Sequence, residues 1–284
     1  MTQKNLSWVL ERINHGHYKA ERLQAWEKNK QELSETMTNC LYYFTLFPTD
    51  FEIPTRRLVN LWVAEELVKQ NKQQTAEDIA ERCIQDLRDC NMIQVMALKS
   101  NSKIKTCCLP SMLREIILQD SDRTNRSHYS GAHLERRYDD RGLDENSENE
   151  FSKKGIPLSV FSLTSERGKN KEKILSTGIA SEQLRDVRVL DIERIFRPQL
   201  PQTLCKLTHI TYLSLRWTYL EEFPPFIGKL VNLETLDLKH ICIRVLPSSI
   251  WKLKKLRNLY LNHKYRSRVE GKLRGDDQEN VHTL

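Results

Sequence analysis

Between Leu184 and Leu261 the apolar positions return every 23 residues, a spacing that neither a lone amphipathic helix nor a lone strand produces. Leu184, Leu207, Leu230 and Leu253 open successive units, followed in register by Val187/Ile210/Leu233/Leu256, Leu190/Leu213/Leu236/Leu259 and Ile192/Leu215/Leu238/Leu261. The later half of each unit repeats as well: Leu200/Phe223/Leu246 precede Pro201/Pro224/Pro247, and Leu204/Ile227/Ile250 and Lys206/Lys229/Lys252 follow. In a stretch such as Ile210–Leu215 the apolar side chains enter a stack and the residues between them point to solvent, as alternation along a strand requires. This predicts displayed positions at Arg188, Val189, Asp191 and Glu193, at Thr211, Tyr212, Ser214, Arg216 and Trp217, and at Glu234, Thr235, Asp237, Lys239 and His240. The last unit adds Arg257, Asn258, Tyr260, Asn262 and His263.

Self-similarity at this period, with this leucine phrasing, is a leucine-rich repeat. One unit cannot bury its own apolar edge, so the units must stack, and the fold predicted is a short α/β solenoid. Such an array presents a surface and no cleft, which points to binding. Arg216, Trp217, Lys239, His240, Tyr260 and His263 are the predicted protein-binding residues, with Trp217 the anchor, because buried aromatics dominate interface energetics. The competing reading for Trp217 is a side chain covering a loop of its own unit. Ile156–Leu163 reads as a strand and an irregular first repeat. Lys264–Leu284 is polar and patternless, so no C-terminal cap is expected.

Upstream, Cys40–Phe47 is a continuous apolar run that periodicity cannot assign to helix or strand, and Pro48-Thr49-Asp50 ends it with turn chemistry. Thr55 is placed to cap a helix over Arg56–Lys69, with Leu58, Leu61, Trp62 and Glu65 at helical spacing. A second helix runs from Ala76 to Cys90, its apolar stripe made by Ile79, Cys83, Ile84 and Leu87. Met92–Leu98 and Ile104–Leu109 flank a polar turn and read as a hairpin. Ser111 then caps a short helix, Met112–Leu118.

Helix, helix, hairpin and closing helix is the layout of a winged-helix domain. The block Cys40–Ile53, followed by Arg57-Leu58-Val59-Asn60-Leu61-Trp62-Val63-Ala64-Glu65, resembles the winged-helix signature of plant intracellular nucleotide-binding leucine-rich-repeat disease-resistance proteins. In that family repeats with the phrasing of Leu246-Pro247-Ser248-Ser249-Ile250 follow the winged helix in the same order. The resemblance implies an α+β multidomain chain. Its parts are a helical remnant of the region following a nucleotide domain (1–27), a winged-helix domain (28–120), a polar linker (121–155), leucine-rich repeats (156–263) and a polar basic tail (264–284). It also implies a role in defense signalling. The repeats would meet a protein partner, whether a pathogen effector, a guarded host protein or the receptor's own domains.

Full-length family members bind ADP or ATP, but no G-x-x-x-x-G-K-[ST] phosphate loop occurs in this sequence, so no cofactor is expected for this chain. Family members carry Met-His-Asp at the start of the closing helix, the His contacting ADP. Leu109, Pro110 and Ser111 stand there instead, a degenerate nucleotide-sensing motif that also reads as a plain strand-to-helix junction.

The 284 residues leave room for about two domains. No apolar run approaches the ~18 residues of a membrane span, and Met1–Leu10 does not read as a secretory leader, which points to a cytoplasmic chain. Seven cysteines without a C-x-x-C pair argue against a disulfide framework or zinc site and for reduced, mostly buried thiols. The scattered histidines show neither metal nor nucleophile spacing, so no metal, no catalytic residue and no enzyme are expected. The net charge of +7 concentrates between Lys252 and Arg274. Such a cluster attracts nucleic acid or acidic lipid, or is a solvated flank, and without interleaved aromatics the solvated flank is preferred. A DNA-binding winged helix with an accessory repeat domain is the alternative. Its reading helix would be Leu58–Val68, which is too apolar to face base edges. A nucleotide-dependent switch is a third reading, should a nucleotide domain lie upstream.

Overall fold

The computed structural model describes residues 26, 30–123, 159–161, 187–193, 200, 202–220, 222–241, 243 and 246–261, with backbone only at 121–123 and 159–161. The readings for 1–25, for most of 121–155, for His263 and for the tail lie outside the described residues. The chain divides into two compact units, Met1–Ser130 and Gly131–Leu284.

In the first unit the Cys40–Phe47 run is helical. Ser34 accepts a hydrogen bond from the Met37 amide and starts α1, Glu35–Tyr43, which continues as a 3-10 turn over Phe44–Leu46. Phe47 is extended, as the residue before a proline must be. Asp50 takes φ 57° in the turn that follows. A two-residue strand, β1 (Ile53–Pro54), leads into α2, Thr55–Ala64. Thr55 is not the cap: Pro54 holds that position, and the Thr55 hydroxyl donates to the Ile104 carbonyl at 3.0 Å, tying the helix to the sheet. The helix also stops short of Lys69, because Glu66 turns left-handed at φ 56°. α3, Ala76–Asp89, opens with a capping box between Thr75 and Asp78, and Ala80, Cys83, Ile84 and Leu87 are its buried stripe.

The hairpin forms as expected. β2 (Gln94–Leu98) pairs antiparallel with β3 (Ile104–Cys108), and β1 adds to the far edge of β3, giving the order β1-β3-β2. α4 runs from Ser111 to Arg123, longer than the sequence suggested. Its start is also different. The Pro110 carbonyl accepts from the Arg114 amide at 3.0 Å, so Pro110 holds the cap and Ser111 is the first helical residue. The core gathers on Trp62, which meets Phe44 edge-on at 5.9 Å, with Leu41, Leu58, Leu61, Ile84 and Ile117 buried alongside.

In the second unit, β4 (Ser159–Phe161), β5 (Val189–Asp191), β6 (Tyr212–Ser214), β7 (Thr235–Asp237) and β8 (Asn258–Tyr260) form one parallel sheet in sequential order. The register is the repeat itself: Leu190 pairs with Leu213, Leu213 with Leu236 and Leu236 with Leu259. Short 3-10 helices at Gln202–Lys206, Pro225–Lys229 and Ser248–Lys252 form the other half of each unit. The leucines of the strands and Leu204, Ile227 and Ile250 of these helices share one apolar cluster. Each such side chain contributes about 1.5–3 kcal/mol by leaving water. Equivalent positions therefore stand in rows along the sheet.

Candidate functional site

The outward rows of the strands are not the open face that alternation predicted. Asp191, Ser214, Asp237 and Tyr260 form one row, and Val189, Tyr212, Thr235 and Asn258 the next. All but Asn258 are buried, Val189, Asp191 and Ser214 completely. Parallel strands about 4.8 Å apart press equivalent side chains against one another, and longer side chains from the turns lie over them.

Arg216 is the chief of these. Its guanidinium reaches Asp237 Oδ2 at 3.1 Å one unit ahead and approaches Glu193 Oε1 at 3.9 Å one unit behind. Both carboxylates are nearly inaccessible, and the arginine side chain is 13% exposed. Asp237 also accepts the Lys239 amide at 3.0 Å and Asp191 the Glu193 amide at 3.3 Å, so each aspartate closes the turn after its strand. Lys239 holds its ammonium 5.5 Å from the centre of the buried Tyr260 ring, a cation–π contact. Of the predicted recognition residues, Arg216 and Tyr260 are thus built into the fold, and Lys239 is half-buried.

Trp217 and His240 are different. Both are exposed, Trp217 at 46%, and they occupy the same place in consecutive turns. Their rings stack face to face, centroids 3.8 Å apart and planes 9° apart. The ladder of backbone hydrogen bonds extends this far, since the Trp217 amide donates to the Lys239 carbonyl at 3.2 Å. Both residues have positive φ, 56° and 62°. A bulky residue there is strained by roughly 1 kcal/mol relative to glycine, and an aromatic stack returns a similar amount. Trp217 therefore packs on the next unit, not on a loop of its own. Partial burial lowers the His240 pKa, as do Arg216 and Lys239, against an upward pull from Asp237. His263, one repeat further on, lies outside the described residues.

In the first unit, Leu109-Pro110-Ser111 joins β3 to α4, with Leu109 buried and Ser111 exposed. An aliphatic chain, a ring without a donor and a hydroxyl supply neither imidazole nor carboxylate. These positions do not fit the family's nucleotide contact. The neighbouring Arg114 is structural: it donates to the Phe47 carbonyl at 3.3 Å and the Thr45 carbonyl at 3.1 Å, closing α4 onto the 3-10 turn, and burial lowers its pKa.

The helix directly before the wing is α3, not the Leu58–Val68 segment named as the DNA-reading helix. Leu58, Val59, Asn60, Leu61 and Trp62 of α2 are buried. The non-buried positions of α3 include Glu77, Asp78, Glu81, Asp86 and Asp89 against Arg82 and Arg88, a surface that repels phosphate.

One cluster had no sequence signal. Asp120 Oδ2 accepts from Trp26 Nε1 at 2.9 Å, from Lys30 Nζ at 2.5 Å and from the Tyr42 hydroxyl, joining three stretches of chain distant in sequence. Burial raises the Asp120 pKa, but hydrogen bonds from Lys30, Trp26 and Tyr42 outweigh it and lower the pKa overall.

Residues 46–117 match the winged-helix domain of disease resistance proteins, and residues 170–274 match a leucine-rich repeat region. The chain is similar to plant disease-resistance proteins. The ToMV susceptible protein tm-2 of Solanum lycopersicum is 33% identical over 91 residues, which are 31% of this chain and 11% of that protein. Disease resistance protein RPP13 of Arabidopsis thaliana is 25% identical over 194 residues, 65% of this chain and 22% of that protein. Disease resistance protein Pik-2 of Oryza sativa is 30% identical over 102 residues, 36% of this chain and 10% of that protein. The chain thus spans less than a quarter of the length of these disease-resistance relatives. Among the described residues, no helix is long and apolar enough to cross a membrane.

Proposed function

We propose that this chain acts in plant immune recognition as a protein-binding module without catalytic activity, in the cytoplasm. A short repeat solenoid grips a protein partner, and the winged-helix domain restrains or relays the resulting signal. The partner is a pathogen effector, a guarded host protein or another domain of the same receptor. The observation that carries the reading is the Trp217–His240 stack, a large aromatic pair held in strained backbone and left open to solvent where neighbouring polar side chains are buried. Aromatic anchors of this kind supply much of the binding energy of protein interfaces. Arg216 and Tyr260 act indirectly, by holding that turn in place.

Proximity labelling in leaf cells, with the chain fused to a biotin ligase, tests this reading. A defined set of proteins labelled by the wild type and lost from a folded Trp217→Ala variant supports it. An identical set from both contradicts it.

A further inference from the structure

The carboxylates at the strand ends and the lysines of the 3-10 helices are segregated, with Glu222 and Glu234 flanking the middle helix. Asp191, Glu193 and Asp237 are buried at 0%, 3% and 4% exposure on the strand side. The turns that carry the chain from each 3-10 helix into the next strand hold Lys206, Lys229, Lys252, Lys254 and Lys255, all exposed. The stretches 202–209, 225–232 and 248–255 contain no aspartate or glutamate. The first three lysines occupy one repeat position, the last residue of each 3-10 helix.

Side chains tie these turns into one edge. Asn232 Nδ2 donates to the Thr208 carbonyl at 2.7 Å, and Lys255 Nζ donates to Asn232 Oδ1 at 2.6 Å, crossing consecutive units. Val231, 54% exposed, is an apolar side chain in the middle of this edge.

We propose that this lysine edge docks on an anionic lipid bilayer. The lysines are point charges on long stems spread over several units, and the arginine beside them, Arg257, faces Glu234 at 4.0 Å. The aromatics of the 3-10 helices, Phe226 and Trp251, pack against the core and are not presented for a base to stack on. A spaced set of hydrated ammonium groups suits a surface whose own charges are mobile, and a fluid membrane gathers acidic headgroups under each lysine. This surface is separate from the Trp217–His240 stack, so membrane docking leaves that stack open to a protein partner.

Co-sedimentation of the full chain with phosphatidylcholine vesicles, with and without phosphatidylserine, tests the proposal. Binding is expected only with phosphatidylserine and is suppressed by high salt. Each lysine near the surface changes the partition coefficient about fivefold, so combined Lys206→Gln, Lys229→Gln and Lys252→Gln lowers it about a hundredfold. These side chains are exposed, and circular dichroism verifies that the variant keeps its fold. Three results overturn the proposal. One is no phosphatidylserine-dependent binding. Another is loss of binding on neutralising Lys264, Arg266 and Arg268 while the triple lysine variant binds like the wild type. The third is duplex DNA that binds through the same lysines more tightly at equal salt and displaces the vesicles.

Discussion

Gly228 lies against the backbone of Ser249 in the next unit: a Cβ on the glycine would stand 2.4 Å from the Ser249 carbonyl oxygen. The two 3-10 helices meet there without a side chain between them. The distance is too short for any real contact, and the atom it meets is main chain. Gly228→Ala must therefore separate neighbouring units and is expected to destabilise the second unit by about 1–3 kcal/mol. Chemical denaturation of the two proteins measures it. An unchanged midpoint would mean that the units are not packed this closely.

Arg216 and Trp217 are neighbours in sequence but are predicted to fail differently. Removing the Arg216 guanidinium takes the cationic partner away from the buried carboxylates of Glu193 and Asp237. Arg216→Ala is expected to cost about 3 kcal/mol of stability. Trp217→Ala loses the stack on His240, about 0.5–1.5 kcal/mol, and keeps the strain of positive φ. Trp217→Gly loses the same stack and relieves the strain. The glycine variant should therefore be the more stable of the two by about 0.5–1 kcal/mol. Thermal melts rank the three, and an alanine variant above the glycine variant would refute the left-handed turn.

The stack carries a pH dependence as well. The folded-state pKa of His240 lies below its ordinary value, through partial burial first and then Arg216 and Lys239. The unfolded chain therefore takes up this proton at higher pH than the folded chain does. Stability is unaffected at neutral pH and falls as pH drops below about 6.5, until the folded histidine also titrates. His240→Gln should flatten that part of the stability curve. A slope equal to the wild type's would assign it to another group.

At Asp120 the sign has the same direction in a lower window. Its folded pKa is depressed, because donors from Lys30, Trp26 and Tyr42 outweigh burial. Its contribution is complete above the unfolded value of about 3.9 and is lost as pH falls through the folded pKa. Asp120→Ala removes the one anionic acceptor that Lys30, Trp26 and Tyr42 share and should destabilise the first unit by about 3–5 kcal/mol at neutral pH. Denaturant titrations of the variant and the wild type at neutral and acid pH check both statements. A difference that does not shrink with acid would rule out the carboxylate as the cause.

Much of this architecture was legible in the chain. The 23-residue spacing places Leu190, Leu213, Leu236 and Leu259 in adjacent strands because identical units can stack only in identical register. Helix α3 was readable from the spacing of Cys83, Ile84 and Leu87. What escaped was lateral. Alternation along one strand assigns Asp191, Asp237 and Tyr260 to solvent, but neighbouring strands and Arg216 bury them. The end of α2 escaped for a local reason: Glu66 takes a left-handed turn with no glycine to signal it. The Asp120 cluster escaped because its partners are 78 to 94 residues away and share no pattern. Of the residues expected on display, only coordinates separate the exposed Trp217 and His240 from the structural Arg216 and Tyr260.

Every displayed edge, aromatic or basic, depends on one register. Methyl-labelled NMR of the full chain tests it directly. Nuclear Overhauser contacts should link Leu190 to Leu213, Leu213 to Leu236 and Leu236 to Leu259, with none skipping a unit. Absence of these contacts, or contacts between leucines of non-adjacent units, would contradict the stacked repeat and with it the surfaces assigned to both partners.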